Sequence, residues 1–358
     1  MKKALKLALL FVIVAAIATV AIIFFVNRDD EKRLQEQQQE KLQQQQQQQQ
    51  QREQLDQASM FQDHVFETRV RQILNLPDGQ ISEQTLAQVT QLDLTYTGDQ
   101  TDTSQQIQSL YGLKFFPNLT TLILDYNALE SIDGIESLTS LEELSANYCK
   151  ISSGSKLKNL TNLKRLSLKN NSIADFTFLE QLNNLEYLDI SQNDTTQLCV
   201  LAQNDYPQLQ TLNISGNSLT EVSFLENLPT LKTLDASGLE LSDFTGISAL
   251  TQLQTADVSS NRISDLTPFA SLKNLQVLTL TDNSIKDLSA LSDCTQLQEL
   301  NVQSNILTDI SPIKNLSALR IFRADNNRIE SFTVLYDMNL DEVSATNNTG
   351  VYNPPQKG

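Results

Sequence analysis

The sequence predicts an α/β solenoid, with short parallel strands on a concave face, 3-10 and turn segments on a convex face and a small helical cap at its N-terminal end, preceded by one transmembrane helix. Three observations predict it: a 22-residue periodicity from Leu119 onward, an asparagine recurring at one position of that period, and an apolar run over residues 7–26. Strict internal periodicity decides architecture before any local assignment does.

Composition narrows the function. The 358 residues are 40% apolar, enough to build a core, and carry a formal charge of −17. Residues 1–57 hold eight Lys/Arg and seven Asp/Glu, which leaves 18 basic and 36 acidic groups in residues 58–358. A domain so charged repels phosphate backbones, so no nucleic-acid partner is expected. Cys149, Cys199 and Cys294 are too few and too dispersed for a disulfide framework.

Residues 1–6 form a short basic tail. Residues 7–26, "LALLFVIVAAIATVAIIFFV", contain Thr19 as their one polar residue, and as a helix they span about 30 Å, one bilayer crossing. The triplet Ala16-Ile17-Ala18 also fits a signal-peptidase site, but cutting there would leave "TVAIIFFV" at the new N-terminus, so an uncleaved signal-anchor is expected. The tail before it is short enough to stay in the cytoplasm, which places the repeat domain outside, although Lys2, Lys3 and Lys6 before the span are nearly balanced by Arg28, Lys32 and Arg33 after it. Residues 27–57, with Gln at every position from 43 to 51, read as a polar stalk; partner binding by the polyglutamine is the less favoured reading.

Residues 58–88 form the cap. Phe66, Val70, Ile73 and Leu74 make a helical apolar stripe, "LPDG" is a turn, and Ser82 caps a second short helix through Leu86. Residues 89–350 form the solenoid. An irregular first unit runs to residue 118, with Val89, Leu92 and Leu94 in its strand, Ile107, Leu110, Leu113 and Phe116 on its convex side, and "GDQTDTSQ" as a protruding loop. Regular units then begin at Leu119, Leu141, Leu163, Leu185, Leu209, Leu231, Leu253, Leu275, Leu297, Leu319 and Leu340, in steps of 22 residues except for 24 after Leu185 and 21 after Leu319. Residues 351–358 are a C-terminal tail.

Each unit reads L-x-x-L-x-L-x-x-N-x-I-x-x-L-x-x-L-x-x-L-x-x. In the unit "LKRLSLKNNSIADFTFLEQLNN", Leu166 and Leu168 alternate with Arg165, Ser167 and Lys169, the period of a strand, while Ile173, Phe176, Leu179 and Leu182 recur at the period of a 3-10 turn. No unit can bury that stripe alone, so neighbours stack. Asn127, Asn171, Asn193, Asn217, Asn261, Asn283, Asn305, Asn327 and Asn348 fill the asparagine position, where an amide bonds the backbone groups that a sharp turn leaves unpaired. Cys149 and Leu239 replace it in two units, and the ladder is expected to break at both.

The 22-residue units and the cap "ILNLPDGQISEQTLAQVTQLDL" resemble bacterial internalin-type leucine-rich repeat proteins, over about residues 60–350. In that family the cap looks like a truncated calcium-binding hand; in register with Asp78-Gly79, the ligand positions here fall on Leu74, Leu76 and Thr85, so no calcium is expected. The family's wall-sorting signal and immunoglobulin-like domain have no counterpart in the sequence, and the N-terminal span is expected to take over attachment. The resemblance implies a protein-binding concave surface.

On that surface Asp93, Asp125, Glu143, Asp189, Asp235, Asp257, Asp282, Glu299, Asp325 and Glu342 stand against Arg165, Lys169 and Arg323. Tyr96, Tyr126 and Tyr148 share one position in three consecutive units, with Ile123 and Tyr187 on nearby strands; exposed tyrosines on a rigid scaffold suit a binding hot spot, and rings packed on one another are the equal alternative. The expected partner-binding residues are Tyr96, Ile123, Tyr126, Tyr148, Arg165, Lys169, Tyr187 and Asp189. No cofactor, metal or small-molecule substrate is expected: the single His64 has no nucleophile partner in sequence, and Asp235 with Asp257 reads better as solvated charge than as a paired-carboxylate site. The expected function is a membrane-anchored, extracytoplasmic solenoid binding a protein ligand with a basic surface. The alternatives are an envelope assembly component docking a neighbouring membrane protein and a cytoplasmic-facing phosphatase-regulator type of repeat protein.

Overall fold

A computed structural model of the chain describes residues 60–76 and 79–353. The expected tail at 1–6, the anchor at 7–26 and the stalk at 27–57 lie outside the described residues, as do Pro77 and Asp78 of the predicted turn and the end of the C-terminal tail. Among the described residues no helix is long and apolar enough to cross a membrane.

Twelve parallel strands form one sheet in strict sequence order, β1 (Gln91–Asp93), β2 (Thr121–Ile123), β3 (Glu143–Ser145), β4 (Arg165–Ser167), β5 (Tyr187–Asp189), β6 (Thr211–Asn213), β7 (Thr233–Asp235), β8 (Thr255–Asp257), β9 (Val277–Thr279), β10 (Glu299–Asn301), β11 (Ile321–Arg323) and β12 (Glu342–Ser344). Each strand is three residues long, and the middle one points inward. The register puts like on like, so Leu122, Leu144, Leu166 and Leu188 form one buried column whose members are at most 1% exposed. A one-residue slip would turn that whole column outward, which is why the repeat fixes the register.

Behind the strands the chain returns through 3-10 turns. In the unit of Leu163 the turn covers Thr177–Gln181, and the Leu179 and Leu182 N–H groups donate to the carbonyls of Phe176 and Leu179, the three-residue spacing expected from the apolar period. Several turns start from an acidic residue that sequence reading passed over: Asp243, Asp265, Asp287 and Asp309 each accept the backbone N–H of the Thr or Ser two residues on. Hydroxyl and backbone donors hold Asp243, Asp265 and Asp309 below the usual carboxylate range.

The cap helix α1 spans His64–Ile73. Phe66 and Val70 of the predicted stripe are fully buried, but Ile73, in the last turn of α1, is 46% exposed. Asp63 is its N-cap and does more than end the helix: Oδ1 accepts the Val65 and Phe66 N–H groups, and Oδ2 accepts those of Gln108 and Ser109 at 2.7 and 3.0 Å. One carboxylate thus ties the cap to the first unit. Ser82 caps α2 (Glu83–Leu86) through the Thr85 N–H, as expected.

The asparagine ladder follows a common rule. In the unit of Asn171, Nδ2 donates to its own Leu168 carbonyl and to Ala146 of the preceding unit, both at 2.8 Å, while Oδ1 accepts the Ile151 N–H at 2.9 Å. The expected break at Cys149 is only partial: Sγ donates to the carbonyls of Leu124 and Asn147, so the thiol keeps the donor half of the ladder and lacks only a good acceptor. Leu239 keeps neither half. After both substitutes the turn takes an additional left-handed residue, Lys150 at φ 65° and Glu240 at φ 56°. At the N-terminal end a side chain not singled out from sequence closes the ladder: Arg69 of α1 donates to the Leu94 carbonyl and the Gln105 carbonyl.

The 24-residue unit departs from the others. Its two additional residues wind into a single α turn, α3 (Val200–Gln203), in place of a 3-10 segment. The shift moves the expected donor away from Asn217, whose Nδ2 still bonds Ile190 and Ile214 while its buried Oδ1 has no partner.

Candidate partner-binding face

The outward residues of each strand, with the position two beyond it, build the face that the sequence assigned to a partner. Their burial is intermediate along most strands while the inward residue is buried, so the face is a set of half-exposed columns standing on leucines.

Hydrogen bonding within those columns changes the reading of the acids. Asp235 and Asp257 stand in register on β7 and β8, yet each accepts the N–H of the serine two residues along its own chain, Ser237 and Ser259. Asn213 and Asn301 do the same for Ser215 and Gln303, so an uncharged acceptor serves this bond as a carboxylate does. Asp125 bonds the Ser145 hydroxyl and the Asn147 N–H, and Asn147 in turn accepts from Ser167 and Lys169. Asp189, placed among the partner-binding residues from sequence, is 6% exposed, with Oδ1 accepting the Ser191 N–H and hydroxyl; its role is to hold the end of β5. An alternating pattern reveals which way a side chain points but not whether its polar end is used at home.

The tyrosines separate. Tyr96 is 9% exposed, donates its hydroxyl to the Asp99 carbonyl and lies with its ring 5.2 Å from the Arg69 guanidinium. The long loop that follows it is what draws it in. Its backbone is also unlike that of its two counterparts, for Tyr126 and Tyr148 have φ of 61° and 57° and Tyr96 is not left-handed. Tyr126 and Tyr148 stack on each other, centroids 4.7 Å apart and planes 9° from parallel, and Tyr126 is still 37% exposed. Of the two alternatives drawn from sequence, this pair shows the packed rings, and Tyr126 keeps an outward-facing surface.

Beside the pair runs a charged column. Arg165 of β4 reaches Glu143 of β3 at 3.5 Å and lays its guanidinium 4.3 Å from the ring centroid of Tyr187 on β5. Burial first, then the Asp189 charge, pushes the Tyr187 hydroxyl above its ordinary pKa. Lys169 is half-buried and forms no ion pair among the described residues; Ile123 is half-buried on β2. Near the other end, Arg323 bridges Glu299 and Glu342 across three strands, so one cation is shared between two acids there. No His/Cys/Asp/Glu group among the described residues has the arrangement of a metal site.

The model for leucine-rich repeats (2 copies) matches residues 161–200, 207–249 and 251–293. No curated protein matches the chain in sequence. Among solved structures, an internalin (inlF) from Listeria monocytogenes is similar over 83% of this chain and 92% of its own, at 26% identity and a TM-score of 0.70. A leucine-rich repeat protein from Leptospira interrogans is similar over 74% of this chain and 86% of its own, at 24% identity and a TM-score of 0.53. A plant peptide hormone receptor, RGFR1 in complex with RGF2, is similar over 72% of this chain and 48% of its own, at 22% identity and a TM-score of 0.57. The last two share the fold.

Proposed function

We propose that this internalin-type leucine-rich repeat protein, held to a membrane by residues 7–26 with its repeats outside the cytoplasm, binds a protein partner on its strand face. The observation that carries the reading is the run of half-exposed columns over the first five strands, where Ile123, the Tyr126–Tyr148 pair and the Arg165–Tyr187 pair stand together on a rigid base. Large, amphipathic, rotamer-poor side chains on a scaffold that does not yield are what concentrate binding energy. The length match to the Listeria internalin supports the internalin-type repeat domain in this reading. Negative charge favours a partner with a basic surface: the formal charge of −17 acts at long range even where individual carboxylates are hydrogen-bonded.

The test captures the partner with the immobilised full chain in detergent, alongside Ile123→Glu with Tyr187→Ala on the strand face and Glu226→Ala with Lys314→Ala on the turn face. Loss of the partner from the strand-face variant alone supports the reading; loss from the turn-face variant alone refutes it. For placement, protease added to intact cells is expected to digest the repeats, and protection of them refutes an outside orientation.

A further inference from the structure

We propose that the stacked Tyr126–Tyr148 pair is a platform for an arginine side chain of the partner, an inference that rests on the strand face being the binding face. The position just before the ladder residue is left-handed in every unit from the second to the last, with φ between 53° and 66°. Elsewhere it holds Asn, Gly, Ser or Asp, residues that visit this region at little cost or are small, and in one unit the unbranched Gln192. Two adjacent tyrosines there are a departure, since bulky side chains at positive φ are strained, and such strain gathers at ligand clamps. Fold alone does not ask for them, as Asn170 fills the next unit's position without a ring.

The ligand class follows from the molecule's own chemistry. At the N-terminal end the Arg69 guanidinium lies over Tyr96, and on the strand face the Arg165 guanidinium lies over Tyr187, so two tyrosines of this chain already carry a planar cation. No cation among the described residues lies over Tyr126 or Tyr148. Their stacked rings offer π faces, and the carboxylate of Asp125, one residue before Tyr126, supplies a fixed negative charge held in place by Ser145 and Asn147. A planar guanidinium stacks on a ring and is more weakly hydrated than an ammonium, so arginine suits the platform better than lysine.

The test uses the full chain and a labelled octa-arginine peptide followed by fluorescence anisotropy, with octalysine and octacitrulline as comparators. Tyr126→Asn with Tyr148→Asn is the informative variant, because Asn170, Asn326 and Asn347 show that asparagine fits this backbone. Octa-arginine is expected to bind wild type more tightly than octalysine, to weaken roughly threefold to tenfold on the Asn variant, and to keep its affinity on Tyr126→Phe with Tyr148→Phe. Octacitrulline, planar but uncharged, is expected not to bind. Equal octa-arginine affinity for wild type and the Asn variant overturns the platform, as does equal wild-type affinity for octalysine. A control with Asp235→Asn and Asp257→Asn separates the two levels: weakening there without a tyrosine effect keeps the acidic strand face and discards the platform, and no octa-arginine binding to wild type overturns both.

Discussion

Cys149 Sγ lies 3.2 Å from the Leu124 carbonyl oxygen and donates to it, taking the place of an asparagine amide. That carbonyl also receives Asn127 Nδ2 at 2.7 Å. Burial pushes the thiol pKa up to about 12, so the reactive thiolate is scarce at neutral pH. In the native chain a disulfide-exchange reagent is therefore expected to modify the exposed Cys199 and to reach Cys149 and Cys294 only after denaturation; native labelling of Cys149 would contradict this. Because Leu124 keeps its second donor, Cys149→Val is expected to cost less than about 1 kcal/mol in a urea titration.

Asn305 and Asn217 are equally buried but unequally bonded, and this gives a matched pair. Asn305 Oδ1 accepts the Ile285 N–H, whereas Asn217 Oδ1 accepts nothing. Leucine is the natural replacement, since Leu239 already fills this position. Asn305→Leu strands the Ile285 N–H and is expected to destabilise by about 1–3 kcal/mol more than Asn217→Leu. Equal unfolding midpoints for the two variants would show that the acceptor half of the ladder contributes nothing.

The repeat was legible in sequence because it is written many times: period, strand face, 3-10 period and ladder all follow from spacing, and the structure has them where the leucines put them. What stayed hidden depends on single contacts between distant residues. Nothing near Tyr96 in the chain announces Arg69, which lies 27 residues upstream and covers its ring. Asp189 and Asp235 read as surface acids, and only the geometry of the following serine shows their oxygens in use. A local signal did exist there, Asp-x-Ser at the ends of β5, β7 and β8, the pattern by which a short acidic side chain bonds the backbone two residues on. The same pattern marks the starts of the 3-10 turns. Left-handed backbone at Tyr126 and Tyr148 could be inferred only by reading across units, from the Gly, Asn and Ser that share their position.

Asp63 joins the cap to the solenoid through four N–H groups, two on its own helix and two on the first unit. Asp63→Ala leaves all four N–H groups without this acceptor and is expected to cost about 2–3 kcal/mol. Asp63→Ser retains a helix cap but is too short to reach Gln108 and Ser109, so about half of that loss should remain. Hydrogen exchange locates the effect: faster exchange is expected at Phe66 and at Ser109 in the alanine variant, and at Ser109 alone in the serine variant. Unchanged exchange at Ser109 in both would mean that the bridge does not hold the cap.

Asp325 makes stability depend on acid. Burial alone would raise its pKa, but donors from Ser344, Thr346 and Gln303 outweigh that and hold the carboxylate below its ordinary value. Two of these donors, the Thr346 N–H and hydroxyl, come from the segment just after β12, so the charged form fastens the last strand to its neighbour. A folded-state pKa below the unfolded one means that the unfolded chain binds the proton more readily, so this contribution is complete above the unfolded value and is lost as pH falls through the folded value. Urea titrations at successive pH values from about 6 down to about 2.5 are expected to show wild type losing stability faster than Asp325→Asn in the acid range, the two curves converging at the lowest pH. Asparagine keeps an acceptor at that position and cannot ionise, so parallel curves for the two proteins would mean that the Asp325 charge does not fasten β12.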